Sequence, residues 1–308
     1  MALDYVPFGG WEHNVRLHND HVEVIITLDV GPRVISYRRP NGENVFKTFA
    51  DQLGGVGESE WQARGGHRFW LAPEDKVKSY IPDNAGIEHR VISDAAVEFI
   101  NEPTSFLPIK KVLRLSLDPG SSRVTVVHRA ENYGTVAIRL ATWGLSVMAP
   151  GGIEIIPMPP PGLHPRDLLP NRTMILWPYT DMADDRWRWG KNFVTLRQSS
   201  TRGPAKIGLA HREKWVAYHR ADTLFVKSFD YLEGANYPDN GCNLETFTNQ
   251  EMLEVESLGP LVSLAPGATT EHAEQWQLLA GEGEPPPQDE KIGEWIAPLL
   301  RKAGSDSQ

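Results

Sequence analysis

At 308 residues with a net charge of −9, the chain is long enough to bury a large core and too acidic to attract nucleic-acid phosphates. Its single cysteine, Cys242, excludes an internal disulfide, and no stretch approaches the roughly 18 apolar residues of a membrane span. The N-terminus carries neither the basic start nor the apolar run of a secretory signal, so a cytoplasmic location is expected.

From the N-terminus onward the chain reads as short strands between turns. Val22 to Thr27 alternates apolar and polar residues, Gly31-Pro32 interrupts it, and Arg33 to Tyr37 resumes. Pro40-Asn41-Gly42 is a turn, and Asn44 to Phe46 is expected to form the next strand. Further alternating runs cover Lys110–Leu117, Arg123–Arg129, Val136–Trp143, Lys206–Ala210, Trp215–His219 and Thr223–Ser228. Asp118-Pro119-Gly120-Ser121 and Asn132-Tyr133-Gly134 supply turns between them.

Residues 151–188 carry seven prolines and read as an irregular segment. They also hold Trp177, Tyr179 and Trp187, an aromatic content that suits a wall over a sheet rather than disorder. A stiff Pro285-Pro286-Pro287 linker precedes the one clear helical pattern, Asp289 to Lys302, with Ile292, Trp295, Ile296, Leu299 and Leu300 on one face. The tail 303–308 is small and polar. Strands recurring at short intervals over most of a chain indicate an all-β class, a sandwich or a barrel, with a short C-terminal helix; the fold expected, with the resemblance below, is a large antiparallel β-sandwich. We expect one sandwich domain over residues 1–282, with the linker and helix of 283–308 packed on it. Gly54-Gly55-Val56-Gly57 lacks the helix and Lys-Ser/Thr of a phosphate loop, and no cofactor is expected.

Two segments carry a family resemblance. Arg64-Gly65-Gly66-His67-Arg68-Phe69-Trp70-Leu71-Ala72-Pro73 resembles the Arg-Gly-Gly…Pro segment at the sugar site of hexose-6-phosphate mutarotases. Gly241-Cys242-Asn243-Leu244-Glu245-Thr246-Phe247, followed by Leu264-Ala265-Pro266-Gly267 and a final strand over His272–Leu278, is similar to the strand with the catalytic glutamate in aldose 1-epimerases. The chain thus resembles a divergent branch of the galactose mutarotase-like superfamily. The resemblance implies a supersandwich fold and a sugar or oligosaccharide partner. It also implies an isomerase-like activity at the anomeric centre, with Glu245 as base. One departure stands out: Ala141, in Leu140-Ala141-Thr142-Trp143, occupies the place of the family's acid histidine.

Opening a hemiacetal needs a base at the anomeric hydroxyl and an acid at the ring oxygen. His67, after the Gly65-Gly66 bend, is the leading acid candidate, and the alternative is a structural histidine. Arg64, Arg68, Lys227 and Asn243 are candidate binders of hydroxyls or carboxylates, and Lys227 would suit an anionic sugar. Trp70 and Trp143 offer ring platforms, or else fill the core. Tyr237 lies in a turn at the expected rim. Glu254 and Glu256 alternate onto one face, as either a carboxylate pair or a polar outer surface. His211 and His219 flank Glu213-Lys214 and could face one another, but their spacing does not match a metal motif, so no metal is assigned. A sugar-binding protein without catalysis, and a polysaccharide lyase or glycosidase on the same scaffold, remain the alternatives.

Overall fold

The computed structural model describes residues 2–281 and 283–305. Among these, 21 strands form two antiparallel sheets. The first sheet runs Ala2–Tyr5, Asn14–His18, Glu23–Thr27, Val34–Arg38, Gly66–Ala72, Ile138–Met148, Leu253–Leu258, Leu244–Thr248, Ala205–Leu209, Met174–Leu176, with Val262–Leu264 joining the start of Ile138–Met148. The second runs Trp187–Trp189, Phe193–Arg197, Ile153–Pro157, Trp215–Arg220, Thr223–Phe229, Thr269–Ala280, Val124–Asn132, Ile109–Leu117, Ala96–Asn101, Glu88–Ser93. Of the sandwich and barrel that the strand spacing allows, the sandwich implied by the family resemblance is what forms.

The inner faces follow period two. Val124, Val126 and Ala130 of one strand meet Leu113, Leu115 and Leu117 of its neighbour, and both rows pack on Leu140, Leu253, Val255 and Leu244 of the opposite sheet. Within this apolar interior lies a polar chain. Ser257 Oγ donates to Glu274 Oε1 at 2.5 Å, so His272 Nε2 must donate to Ser257 Oγ at 2.6 Å. His128 Nδ1 donates to the His272 carbonyl at 3.2 Å. Its Nε2 therefore accepts from His67 Nε2 at 2.8 Å, and His67 Nδ1 accepts from Ser146 Oγ at 3.0 Å. Burial keeps these imidazoles neutral, with His128 and His272 pushed down to about 3 and His67 well below the ordinary range. Lys227 closes the chain, its ammonium 2.8 Å from Glu274 and bonded to the carbonyls of Val255 at 3.0 Å and Gly144 at 3.3 Å. Every proton in this chain has one acceptor, which is the condition for burying polar groups without a large penalty.

The C-terminal helix, Asp289–Ser305, packs Ile292 and Ile296 on Ile155, Ala217, Leu224 and Val226, the outer face of the second sheet. The Asp289 carboxylate accepts the backbone N–H groups of Asn192 at 3.0 Å and Phe193 at 2.9 Å, tying the helix start to a strand. The last residues of the polar tail, 306–308, lie outside the described residues. No helix among the described residues is long and apolar enough to cross a membrane.

Two local expectations are corrected. Asn44–Phe46 forms only a single bridge, Phe46 to Met148, because the Asn44 side chain caps the backbone of Tyr37 and Phe46 instead of leaving it for a ladder. The segment 151–188 is not wholly irregular. It contributes the Ile153–Pro157 strand and the short strands Met174–Leu176 and Trp187–Trp189, which its prolines hide from period-two reading.

Two predictions test the buried chain. A Cβ at Gly144 would collide with Glu274 Oε1 and the His128 ring, so Gly144→Ala is expected to destabilise by about 1–3 kcal/mol in urea unfolding. A neutral result would show that the polar chain can shift. Glu154, held by Thr246 Oγ1 at 2.8 Å and fully buried, is pushed by burial up to about 8. The folded state therefore keeps a proton that the unfolded chain loses above pH 4.5. Its stability contribution is present at low pH and falls as pH rises toward 8, by up to about 1.4 kcal/mol per unit. In Glu154→Gln this slope should vanish, so the stability difference between variant and wild type should change steadily across that window. A constant difference would show that Glu154 is ionised throughout.

Candidate functional site

The central strands of the first sheet are buried on both faces. Because Leu244, Val255 and Ile207 point into the sandwich, alternation sends Glu245, Glu254, Glu256 and Lys206 to the outer face. There the ladder stands Arg68, Leu145, Glu256, Glu245 and Gly208 opposite one another across five strands. One pleat along, Trp70, Trp143 and Leu258 form a parallel row. The other way lie Lys206, Phe247 and Glu254.

The Lys206 ammonium lies between two carboxylates, 2.7 Å from Glu245 and 2.9 Å from Glu256. It also sits 4.9 Å from the ring centres of both Trp143 and Trp177. Trp143 Nε1 donates to Glu256 Oε2 at 3.0 Å. Burial opposes the charge on Lys206, yet the two carboxylates hold it above the usual lysine range. Burial drives Glu245 well above the usual carboxylate range despite Lys206, and raises Glu256 in the same way. Glu245 is 1% exposed and Glu256 0%, and the second oxygen of each, Oε1, has no hydrogen-bond partner. Two buried carboxylates therefore offer free acceptors beneath an aromatic wall.

The wall comes from the proline-rich segment. The backbone N–H of Trp177 donates to the Lys206 carbonyl at 3.3 Å and Thr180 Oγ1 to the same oxygen at 2.5 Å, which fixes Trp177 over the strand. Gly208, opposite Glu245, leaves the space: a Cβ there would strike Cys242 Sγ and meet Trp177 at 3.2 Å. Tyr179 stands half exposed at the edge. On the far side Arg68 pairs with Glu254 at 2.9 Å and stacks 4.4 Å from Trp70, with Trp61 and Tyr80 packed around it.

Of the residues anticipated for the site, Glu245, Arg68, Trp70 and Trp143 share this face. His67 does not. It precedes Arg68 by one residue, and period two turns it inward to His128. Lys227 also points inward, to Glu274, and meets no cleft. Arg64 is fully buried, its guanidinium bonded to Glu58 at 2.7 Å and Asn84 at 2.8 Å as a pin between loops. Asn243 bridges the backbone of His211 through Nδ2 at 2.9 Å and Oδ1 at 2.6 Å. Tyr237 stacks on Tyr231 at 5.3 Å and accepts the Leu232 N–H at 2.9 Å. His211 and His219 do not meet; they bond the carbonyls of Trp215 and Gly281 respectively. Burial raises the Cys242 thiol, which donates to the Asp239 carbonyl at 3.1 Å.

Lys206, Trp177 and Tyr179 were not singled out as ligand-binding residues. The alternation of Lys206 with Ile207 and Leu209 was the available signal, since a lysine opposite a core row must face the other side. Among the described residues, His67, His128 and Glu274 bring metal-ligating atoms within 4.8 Å of one another. Those atoms already bond each other and Lys227, so a metal would have to displace the ammonium and the shared imidazole proton.

No protein-family model matches the sequence, and no curated protein matches it. Solved structures do resemble it. A galactose mutarotase-like protein from Lactobacillus casei aligns over 86% of this chain and 99% of its own, at 13% identity and a TM-score of 0.57. A galactose mutarotase related enzyme from Lactobacillus acidophilus aligns over 88% and 99%, at 9% identity and a TM-score of 0.52. A TPR-domain containing protein from Parabacteroides distasonis aligns over 90% of this chain but 49% of its own, at 14% identity and a TM-score of 0.60. The two stacked sheets, their topology and these alignments together show that the chain has the galactose mutarotase-like fold.

Proposed function

We propose that the outer face around Glu245 and Glu256, opened by movement of Trp177, binds a neutral sugar and moves a proton at its anomeric centre, in the manner of an aldose epimerase. The observation that carries this reading is the cross-strand pair Glu245 and Glu256, each with one free oxygen, beneath Trp143 and Trp177. The anomeric hydroxyl and the ring oxygen hang on one carbon. Side chains directly opposite in a ladder, with Cβ atoms about 5 Å apart, can reach both. Burial raises both carboxylates, and the charge of Glu256 raises Glu245 further, which favours a state with one proton on the pair, where one member serves as acid and the other as base. Glu256 then takes the part that the missing histidine at Ala141 leaves open, with Glu245 as base. Lys206, held above its usual range, is a poor proton donor and acts by orienting the pair.

With one proton on the pair, the Lys206 ammonium balances the remaining carboxylate, so the site has no spare positive charge for a uronate or sugar phosphate and favours an uncharged sugar. Entry requires Trp177 to move aside, after which its ring can stack on the sugar's apolar face. Sugar binding without turnover is a second reading, favoured by the Lys206 clamp on Glu245.

Proton-exchange NMR on a panel of neutral aldoses tests the catalytic reading. Wild type should accelerate anomer exchange for at least one aldose, and Glu245→Gln should lower that rate by about 10² or more. If no aldose is accelerated while one binds wild type and Glu245→Gln equally, the binding reading replaces it. If none binds, both fail. Trp177→Ala should weaken binding of the active aldose by about fivefold or more, the loss of one stacking ring, as read by ligand titration. Unchanged affinity would remove Trp177 from the site.

A further inference from the structure

A second cavity, of about 640 Å³, opens at the end of the sandwich where the Gly66–Ala72, Ile138–Met148, Ile109–Leu117 and Ala96–Asn101 strands meet. Residues 73–88 roof it. Its lining is mixed: Leu71, Ile81, Ile87, Ile109 and Leu140 supply an apolar stretch beside a charged rim that includes Glu74, Lys78, Glu88 and Arg139. On the floor is Lys111. Ile109, Leu113, Leu115 and Leu117 of its strand all point into the core, so period two directs Lys111 inward as well. A lysine in an inward row is unusual and calls for a partner.

Lys227, the other inward lysine described above, has Glu274. Lys111 has no such counterion among the described residues. Its ammonium donates to the Phe69 carbonyl at 3.3 Å and lies 5.9 Å from that ring's centre. Asp83, the carboxylate whose field it feels most, is held by both nitrogens of Arg33, at 2.5 and 3.0 Å. Burial holds the amine below its usual range, as expected for a cation without a paired anion. Of the other acids around the cavity, Glu102 pairs with Lys110 at 2.8 Å, Glu74 accepts from the Tyr80 hydroxyl at 2.5 Å, Asp75 accepts the N–H groups of Val77 and Lys78, and Glu88 lies exposed at the rim. None turns its charge to Lys111.

We propose that this cavity is a second ligand site, which takes a small amphiphile with one anionic head on Lys111 and an apolar body along the walls. An anion supplies the Lys111 ammonium with the charged acceptor that the Phe69 carbonyl is not, and the apolar part of the lining contributes through burial of the body. The acidic rim disfavours ligands of higher charge. The cavity shares Trp70 with the outer face but none of Glu245, Glu256 and Lys206.

Octanoate titrated into the full-length protein by isothermal calorimetry is the test. One octanoate should bind per chain, with 1-octanol and octylamine each at least about tenfold weaker. Lys111→Met, which keeps most of the side chain's apolar stem without its charge, should bind octanoate at least about tenfold more weakly, while Glu245→Gln should bind it as wild type does. Ile81→Trp, in the roof, should block all binding without removing the lysine. Octanol binding as tightly as octanoate, or octanoate failing to bind wild type, overturns the proposal whether or not the lysine variant folds. So does unchanged binding in a folded Lys111→Met.

Discussion

A strand buried on both faces must satisfy two environments with one alternating set of side chains. The Leu253–Leu258 strand shows what this demands. Val255 and Ser257 face the interior, where Ser257 links His272 to Glu274 and the Val255 carbonyl receives Lys227. Glu254 and Glu256 face outward, to Arg68 and Lys206. Neither side is free water, so each polar group needs a partner on the next strand or in the opposite sheet. A slip of one residue would put two carboxylates into the interior and two core residues against the cleft, so register and site are fixed by the same constraint.

The lysines show how the molecule handles cations on its strands: Lys227 and Lys206 are buried and Lys111 is partly buried. Lys227 meets one carboxylate and two carbonyls, and its environment is closed. Lys206 meets two carboxylates, one more than its charge requires, and the surplus leaves Glu245 and Glu256 each with a free oxygen. Lys111 meets a carbonyl alone, one anion fewer than its charge requires. A balanced group holds the fold together, and an unbalanced one is available to a ligand. Losing one partner of a buried pair commonly costs about 3–5 kcal/mol, so such imbalances are not expected to persist as neutral accidents.

Much of this was legible in the sequence and part was not, for a physical reason. Period-two runs and turn residues disclosed most central strands, because those strands bury one apolar row and so must alternate. Glu245 could be placed from its motif, and Trp143 and Arg68 from their neighbours. His67 and Lys227 could not be oriented, since alternation says only that consecutive residues diverge and not which row faces the other sheet. His67 and Arg68 both looked suited to a sugar, and only the packing of Phe69 into the core decides that His67 goes inward. The partners of Glu245 lie beyond local reading: Lys206 is 39 residues away, and only the pairing of Ala205–Leu209 with Leu244–Thr248 brings them together. The Trp177 wall was anticipated as an aromatic segment, but the backbone bond to Lys206 that seats it is a tertiary event.

In the proposed reading, the absence of a histidine at Ala141 does not by itself remove the chemistry. Ala141 stands on the outer face beside Trp143, opposite Ala72, in a small apolar cluster with no room for a charged ring. On a sheet, however, any position directly opposite a carboxylate is about as close to it as a residue on a neighbouring element could be. Glu256 holds that position against Glu245, and its burial gives it a proton affinity that an exposed strand glutamate lacks. An acid–base pair on this lattice therefore depends on register and desolvation rather than on the identity of one side chain. The same desolvation requires the clamp: without Lys206 the two carboxylates would repel at close range, and with it they are held together with one free oxygen apiece.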